Sequence, residues 1–311
     1  MSFTTNIKEE ISSFKNTKSE LIAELSGYIR NNGNIQDNMI TMSTENKWIM
    51  ERVSNSLKDF YNIDVPIETV ENLNFSKKDL YQIKISLTNE KCLKELGILD
   101  DNNKYLDTVP SYIVGANEEI RGYLRGVFLA CGSINDPKTS RYHMELLIEY
   151  PDEAVFIQKL LNIFDLNAKI LNREKGYMIY IKEAEKISDF IKIIGANNAV
   201  LYYENVRIYR DKKNQTNRLN NMEQANMDKV IQTAASQLED IELIEKLDAV
   251  ELLDDKTKEA LDYRKEYPEV SLKELAEIIS VETGKSITKS GLNHRIRKIK
   301  ELAERLKKMD K

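Results

Sequence analysis

The sequence predicts an α+β protein in which a pseudo-symmetric αββαββα repeat is followed by a separate all-α helix-turn-helix domain. The pattern Leu-x-Gly-x-x-x-x-x-Gly-x-Ile occurs twice, about 99 residues apart. The same order of helical and alternating apolar stretches follows both copies. Toward the carboxyl end only helical patterns occur. We therefore expect two repeat halves, a connector with a linker helix, and the helix-turn-helix domain, at residues 1–110, 111–215, 216–253 and 254–311.

The elements of the first half follow in order. Residues 25–35 carry the first copy after an acidic, helix-forming stretch, and Gly33 suits the left-handed residue that closes a helix. A β-like stretch, a helix, two further strands and a short helix are then predicted from the apolar periodicity. We place these elements at residues 38–43, 45–61, 64–70 and 80–87, and just before Gly97.

The second half repeats that order. The second copy of the pattern occupies residues 124–134, with Gly132 in register with Gly33. A helix that ends at Gly195 closes this half, as the helix before Gly97 closes the first. The strand, helix and two strands between them are predicted at residues 142–150, 152–164, 168–171 and 177–182.

Two glycines indicate how the halves meet. Gly27 and Gly126 fall in the middle of their predicted helices, where glycine costs up to about 1 kcal/mol relative to alanine. A helix keeps glycine where another backbone must come close, because glycine has no Cβ to block the contact. We therefore expect the two pattern helices to pack against each other.

The duplicated pattern resembles the two-motif LAGLIDADG homing endonucleases. In that family the motif helices form the central interface, and the residue before the second glycine is an acid that holds catalytic metal ions. Asn32 and Cys131 occupy these positions here, and neither is a hard anionic oxygen ligand. The resemblance thus implies the scaffold without a catalytic residue or a metal, and we interpret Asp37 and Asp136 as loop residues. The expected degenerate interface consists of Gly27, Asn32, Gly33, Gly126, Cys131 and Gly132.

Composition excludes several classes of protein. Mean hydropathy is -0.50 and no run of about 18–20 apolar residues occurs, which excludes a membrane-inserted protein. The two cysteines and two histidines are too few for a disulfide framework and offer little material for a zinc site. The amino terminus lacks the basic start and apolar centre of a signal peptide. We expect a cytoplasmic protein that carries no cofactor.

The charge is unevenly distributed. The net charge is -5, but residues 285–311 hold ten lysines and arginines against three acids, Asp310 among them. This end therefore carries +7, which leaves -12 for the rest of the chain. An acidic body with a basic end is typical of a protein that touches a polyanion with particular surfaces. Charge alone leaves a solvated helix as an equal alternative.

A smaller basic cluster lies in an Asn-rich segment at residues 196–226. Lysine and arginine pair with phosphates, and asparagine bonds to sugars or base edges, so the segment is a candidate secondary DNA contact. An exposed connector is the alternative. A helical pattern from 223 to 253 is predicted to join the two domains. The secondary set consists of Arg207, Arg210, Lys212, Lys213, Asn217 and Arg218.

The last domain is predicted from caps and periodicity. Helices are expected at residues 256–267, after Ser271, and at 291–308; Ser271 and Glu274 form a capping box. Base-reading and phosphate-pairing side chains concentrate at the start of the last helix, which favours major-groove recognition over a three-helix protein-interaction domain. The predicted DNA-binding residues are Ser271, Lys285, Thr288, Lys289, Ser290, Asn293, His294, Arg295, Arg297 and Lys298.

The combination of a degenerate LAGLIDADG pair and a helix-turn-helix is similar to the bacterial WhiA family. The resemblance covers essentially the whole chain and includes the strings Asn217-Arg218-Leu219 and Thr288-Lys289-Ser290-x-x-Asn293-His294-Arg295. That family is described as regulators of sporulation in actinomycetes and as cell-division and chromosome-segregation proteins in low-GC Gram-positives. It implies a non-enzymatic, nucleoid-associated protein whose partners are double-stranded DNA and transcription or cell-division proteins. A residual endonuclease and a protein-interaction scaffold of the division machinery remain the alternatives.

Overall fold

The computed structural model describes residues 2–70, 79–139 and 141–309, so Asp310 of the basic end lies outside the described residues. The chain divides into two compact units, Met1–Arg210 and Asp211–Lys311. The first unit contains two antiparallel sheets with helices, and the second is helical. The predicted α+β fold with a helical carboxyl-terminal region is confirmed.

The first half of unit 1 has the predicted order, with an additional helix in front. Its first two strands form a hairpin, and Asp37 and Asn38 at the turn have φ of 49° and 62°. Two left-handed residues are what a tight hairpin turn requires. The elements are α1 (Phe3–Ser12), α2 (Lys18–Asn32), β1 (Asn34–Gln36), β2 (Met39–Thr44), α3 (Lys47–Tyr61), β3 (Glu68–Val70), β4 (Leu80–Ser86) and α4 (Glu90–Glu95).

The second half repeats this architecture. A 3₁₀ turn at Ser111–Ile113 precedes it. Its elements are α5 (Asn117–Cys131), β5 (Gly132–Ile134), β6 (Met144–Ile148), α6 (Pro151–Ile163), β7 (Lys169–Arg173), β8 (Gly176–Ile181) and α7 (Ala184–Ile193).

The two sheets have the same topology. Their strand orders are β1-β2-β4-β3 and β5-β6-β8-β7, with every pair antiparallel. In each sheet the two central strands pair apolar residues on the inner face, Met42 with Ile83 and Leu146 with Ile179. All four side chains are fully buried. The sequence repeat is therefore also a repeat in three dimensions.

Helix α1 was not predicted from the sequence. Ser2 caps it by accepting a hydrogen bond from the Thr5 N–H at 3.1 Å. Phe3, Ile7 and Ile11 recur every four residues and are buried in the core of unit 1. This short stripe was a recognisable helical signal, but its burial depends on surfaces supplied by distant elements such as β5 and α3.

The close packing of α2 against α5 confirms the interpretation of the mid-helix glycines. A Cβ on Gly27 would lie 2.5 Å from the carbonyl oxygen of Tyr123. A Cβ on Gly126 would overlap the carbonyl oxygen of Glu24 and lie 2.9 Å from the backbone nitrogen of Tyr28. Backbone therefore faces backbone across the seam, and glycine is the residue that allows this.

The glycines that end these two helices have another role than the one predicted. Gly33 and Gly132 have φ of -77° and -85°, so they are extended and not left-handed. A Cβ at Gly33 would meet the carbonyl oxygen of Ile29, and one at Gly132 would overlap the ring of Phe128. Glycine is needed at these positions for space. The glycines that follow α4 and α7, Gly97 and Gly195, are left-handed, with φ of 65° and 88°.

A buried ion cluster joins α2, α3 and α5. The carboxylate of Glu24 accepts hydrogen bonds from Arg52 and, at 3.2 Å, from Nη1 of Arg125. All three side chains are less than one tenth exposed. Because removing one partner would leave another charge buried and unpaired, this cluster ties the helices of the two halves together.

Helix α8 (Asn197–Lys246) runs without a break through the segment predicted as a polar connector. This stretch contains no glycine or proline, so nothing in its backbone chemistry stops the helix. Residues 211–229 are all exposed. This part of α8 therefore depends on helix propensity and not on burial of an apolar face.

The second unit is built around the end of α8. It contains α9 (Asp255–Glu266), α10 (Leu272–Thr283) and α11 (Lys289–Met309), after a 3₁₀ turn at Val250–Leu252. Its core is formed by apolar residues from all four helices, among them Ile241, Ile244, Leu261, Leu275, Ile279, Leu292, Ile296 and Ile299. The predicted linker helix thus contributes to the core of the helix-turn-helix unit.

Candidate nucleic-acid interface

Local capping positions α10 and α11. Ser271 accepts a hydrogen bond from the Glu274 N–H, and the Glu274 carboxylate accepts one from the Ser271 N–H, which is the predicted capping box. Gly284 ends α10 in the left-handed conformation, with φ of 68°. The Thr288 hydroxyl then accepts from the Gly291 N–H at 3.1 Å at the start of α11. Ser271 and Thr288, both in the predicted DNA-binding set, therefore have structural roles as caps.

Helix α11 presents a polar face to solvent. Leu292, Ile296 and Ile299 are buried on one side. With 3.6 residues per turn, Ser290, His294 and Arg297 project from the opposite side. The predicted residues that are exposed in the structure are Lys285, Thr288, Lys289, Ser290, Asn293, His294, Arg297 and Lys298.

Arg295 lies on the flank of α11 and is not part of that face. Its Nη1 donates to Oε2 of Glu259 at 2.8 Å and to the backbone oxygen of Lys256 at 3.1 Å. Its side chain is 20% exposed. Arg295 therefore anchors α11 to α9, and the sequence-based grouping of Arg295 with Arg297 joins two residues with different roles.

Lys298 is exposed but paired. Its Nζ donates to Oδ2 of Asp254 at 2.7 Å, while Oδ1 of Asp254 caps α9 through the Thr257 N–H. The hydrogen bond from Lys298, followed by that from Thr257, lowers the pKa of Asp254 to about 2. The carboxylate is thus ionised at neutral pH, and a phosphate that binds Lys298 must compete with it.

One flank of α11 faces α8 across a groove of about 500 Å³ whose lining is mixed polar and apolar. Asn293, Arg297 and Lys300 line the groove from α11. Gln232 and Ser236 line it from α8. The exposed face of α11 is therefore continuous with polar side chains of the linker helix, which sequence analysis did not associate with it.

The residues of the predicted secondary contact all lie on α8. Arg207 pairs with Glu204 and Glu185, and the Arg210 guanidinium lies over the ring of Tyr142. Lys212 and Lys213 are exposed on α8 but point about 100° apart as neighbours on a helix. Asn217 and Arg218 are exposed as well and are likewise adjacent. Arg207 and Arg210 are therefore engaged within unit 1, whereas the other four residues are exposed.

Asn32 and Cys131 lie at equivalent ends of α2 and α5, and both side chains are engaged locally. Oδ1 of Asn32 accepts from the Ser43 N–H at 2.9 Å, which ties α2 to β2 of its own sheet. The Cys131 thiol donates to the Val127 carbonyl at 3.3 Å. Burial raises the pKa of Cys131 to about 12, so the sulfur is a neutral thiol at physiological pH.

The two nearby aspartates lie in loops, as interpreted from the sequence. Asp37 is exposed in the β1–β2 turn. Asp136 follows β5, and its Oδ1 accepts from the Lys138 N–H at 2.8 Å and from the Tyr202 hydroxyl at 3.2 Å. In the part of the chain that the structure describes, no group of three histidine, cysteine or acidic side chains is arranged to hold a metal ion.

Comparison with known proteins gives the family of this chain. Three family models match: the WhiA N-terminal LAGLIDADG-like domain at residues 18–99, the WhiA LAGLIDADG-like domain at 120–213 and the WhiA C-terminal HTH domain at 216–303. A protein of Enterococcus faecalis named "Probable cell division protein WhiA" is 41% identical over 311 residues, which cover 99% of each chain. This chain belongs to the WhiA family.

Other WhiA proteins extend the comparison. A relative of the same name from Staphylococcus haemolyticus is 41% identical over 315 residues, covering 100% of this chain and 99% of its own. The crystal structure of full-length WhiA from Thermatoga maritima matches with a TM-score of 0.58 at 22% identity, over 98% of this chain and 99% of that one. That likeness shows a shared fold. Among the described residues, no helix of this WhiA-family chain is long and apolar enough to cross a membrane.

The acidic partners of Arg295 and Lys298 were not predicted from the sequence. Asp254 and Glu259 hold Lys298 and Arg295, although nothing in their spacing along the chain indicates these pairs. The sequence did contain a signal for Asp254, because Asp254-Asp255-Lys256-Thr257 has the spacing of a helix N-cap. The buried Arg264 was also missed, since a positively charged residue inside a mostly polar helix is expected at the surface.

Proposed function

We propose that this WhiA-family protein is a non-enzymatic regulator that binds double-stranded DNA through the exposed face of α11. The observation that carries the proposal is the set of exposed polar and basic side chains on α11. This helix follows α10, which has a capping box at its start and Gly284 at its end. Such a helix fits the major groove, where Asn293, Ser290 and His294 would reach base edges. Lys289, Arg297 and Lys298 would pair with phosphates. A role in cell division is supported by the names of the relatives, and we propose that it is exerted through transcription or chromosome segregation.

The proposal places the protein at the nucleoid in the cytoplasm, where it would meet DNA and transcription or cell-division proteins. The basic character of α11 supports this placement, because nonspecific affinity for DNA is largely electrostatic. The two sheets and the basic residues of α8 would supply at most a weaker second contact. In particular, Arg207 already has ion-pair partners in unit 1.

Duplex binding by the full-length protein should depend steeply on salt. Three exposed cations near the start of α11, Lys285, Lys289 and Arg297, would release about three counterions on binding, whereas Lys298 is paired with Asp254. We therefore expect a slope of about -3 for the logarithm of the association constant against that of the salt concentration. Fluorescence anisotropy with a labelled duplex at 50–200 mM salt measures this slope. A protein that does not retain the duplex at low salt, or that binds without salt dependence, would contradict DNA binding by this face.

The absence of enzymatic activity is proposed from the ends of α2 and α5. A carboxamide bonded to its own sheet and a neutral thiol stand where a metal-dependent nuclease requires acids. We expect supercoiled plasmid to stay uncut during incubation with the protein and Mg²⁺ or Mn²⁺. Nicking that disappears in Asp37→Ala or Asp136→Ala would show relocated ligands and overturn the proposal. Nicking that persists in both variants would identify a contaminating nuclease.

A further inference from the structure

A small cavity in the helix-turn-helix unit is surrounded by positive charge. It has a volume of about 230 Å³ and lies between α8, the end of α9 and the starts of α10 and α11. Four of its lining residues are cationic (Lys229, Arg264, Lys273 and Lys289), and no lining residue is acidic. The other two cavities described in this unit both contain aspartates. An excess of one charge sign in a concave, partly apolar site attracts the opposite charge.

Arg264 is a buried charge without a counterion. The residue is 1% exposed and is among the largest fully buried side chains of the protein. Its Nη1 donates to the backbone oxygens of Tyr267 and Val270, at 3.2 Å and 2.8 Å. Its Nε has no hydrogen-bond partner, and no carboxylate among the described residues pairs with the guanidinium. A buried ion of this kind is unfavourable unless a group of opposite charge compensates it.

The first turn of α10 borders the same cavity. Ser271, the N-cap, and Lys273 both line it, so the positive end of the helix dipole faces this space. The Glu274 carboxylate of that turn is held by the Ser271 N–H and does not line the cavity. The positive end of a helix, a guanidinium and lysines together form the chemistry that holds a phosphate group.

We propose that this cavity binds a phosphate group, with Arg264 at its floor and Lys229, Lys273 and Lys289 at its rim. The volume suits inorganic phosphate or the phosphate of a small monoester, since it lies below the usual range for drug-sized ligands. The phosphate bridges α8 to the starts of both helices of the helix-turn-helix. Its occupancy therefore stabilises the orientation of α11 against the linker helix. The site does not depend on the proposed binding of DNA.

Calorimetric titration of the full-length protein with inorganic phosphate, at constant ionic strength set by chloride, tests the site. We expect saturable binding and a rise in the melting temperature with phosphate concentration. Lys229→Gln and Lys273→Gln are each expected to weaken phosphate binding about five- to tenfold. The matched control is Lys246→Gln, an exposed lysine of α8 that does not line the cavity, which should bind phosphate as the parent protein does.

Arg264→Met should abolish phosphate binding, and its melting temperature should no longer respond to phosphate. Nη1 of Arg264 also holds two backbone carbonyls, so circular dichroism first checks that this variant folds. If it does not fold, the two lysine variants decide the test. If calorimetry detects no heat of binding at 20 mM phosphate, a concentration of roughly the limit for millimolar affinity, the proposal is overturned. Equal binding by the Lys229, Lys273 and Lys246 variants would overturn it as well.

Measurements in the presence of a DNA duplex distinguish two sources of the bound phosphate, the DNA backbone and a small phosphorylated molecule. If the DNA backbone occupies the cavity, free phosphate competes with the duplex at constant ionic strength, and Lys229→Gln weakens duplex binding. If a small phosphorylated molecule occupies it, phosphate binding persists in the DNA complex and the affinity of Lys229→Gln for the duplex is unchanged. Both outcomes support the site and identify its ligand. If the protein binds no duplex at all, the titration with phosphate alone still decides the proposal.

Discussion

Gly126→Ala is expected to lower the free energy of unfolding of this protein by about 3 kcal/mol, at the upper end of the usual cost of overpacking. The new methyl group would overlap the carbonyl oxygen of Glu24 and lie 2.9 Å from the backbone nitrogen of Tyr28. Both are backbone atoms of α2, so the clash is relieved only if the two helices move apart. The better helix propensity of alanine returns at most about 1 kcal/mol. Urea unfolding followed by circular dichroism measures the loss.

The matched control for Gly126→Ala is Gly291→Ala. Gly291 also lies in a helix, but it is exposed, and the nearest atom to an added Cβ is the Thr288 hydroxyl oxygen at 3.5 Å. This substitution should raise stability by up to about 1 kcal/mol through helix propensity. If Gly126→Ala were as stable as the parent protein, the backbones of α2 and α5 would not be in close contact. Gly27→Ala, on the other side of the seam, should behave like Gly126→Ala.

Arg297→Ala is expected to weaken duplex binding about 10- to 100-fold and to reduce the salt slope by about one. Arg297 is exposed on the outward side of α11, near its start, where a phosphate or a guanine edge would be reached. Arg305→Ala is the matched control, because it removes the same charge from the same helix about 12 Å further along. Fluorescence anisotropy should show a much smaller effect for Arg305→Ala. Equal effects of the two substitutions would mean that α11 contributes only general positive charge.

Arg295→Ala does not test DNA recognition in the same way. Loss of its bonds to Glu259 and to the Lys256 carbonyl would loosen α11 from α9. Any effect of Arg295→Ala on DNA affinity would therefore accompany a lower melting temperature. The single variant Arg297→Ala avoids this ambiguity, since no hydrogen bond or ion pair of Arg297 is found among the described residues.

The repeat could be read from the sequence because its signal is local. The register of Gly27 with Gly126, and of the apolar residues around them, required only a comparison of the chain with itself. The boundaries of α10 were equally local, since a capping box and a left-handed glycine act within one turn of a helix. The continuity of α8 could also be predicted, because the segment contains no glycine or proline. Its many asparagines instead led to the interpretation as a connector.

The candidate site was predicted only in part, since burial and partners depend on distant residues. Helical periodicity placed Arg297 and His294 outward on α11. It could not show that Arg295 pairs with Glu259, 36 residues earlier, or that Lys298 pairs with Asp254, 44 residues earlier. For the same reason the cavity around Arg264 was not predicted: its four cations come from four different helices.

By itself, the amino-acid sequence determined the duplicated architecture, the order of its elements, the non-acidic residues Asn32 and Cys131 before the second glycine of each pattern, and the basic character of the last helix. These properties follow from residue identity and short-range periodicity. Only the tertiary structure decided which cations are available and which are already neutralised, and where a buried guanidinium lacks a counterion. The energy of a charge depends on the groups that surround it in space, and residues far apart along the chain supply those groups.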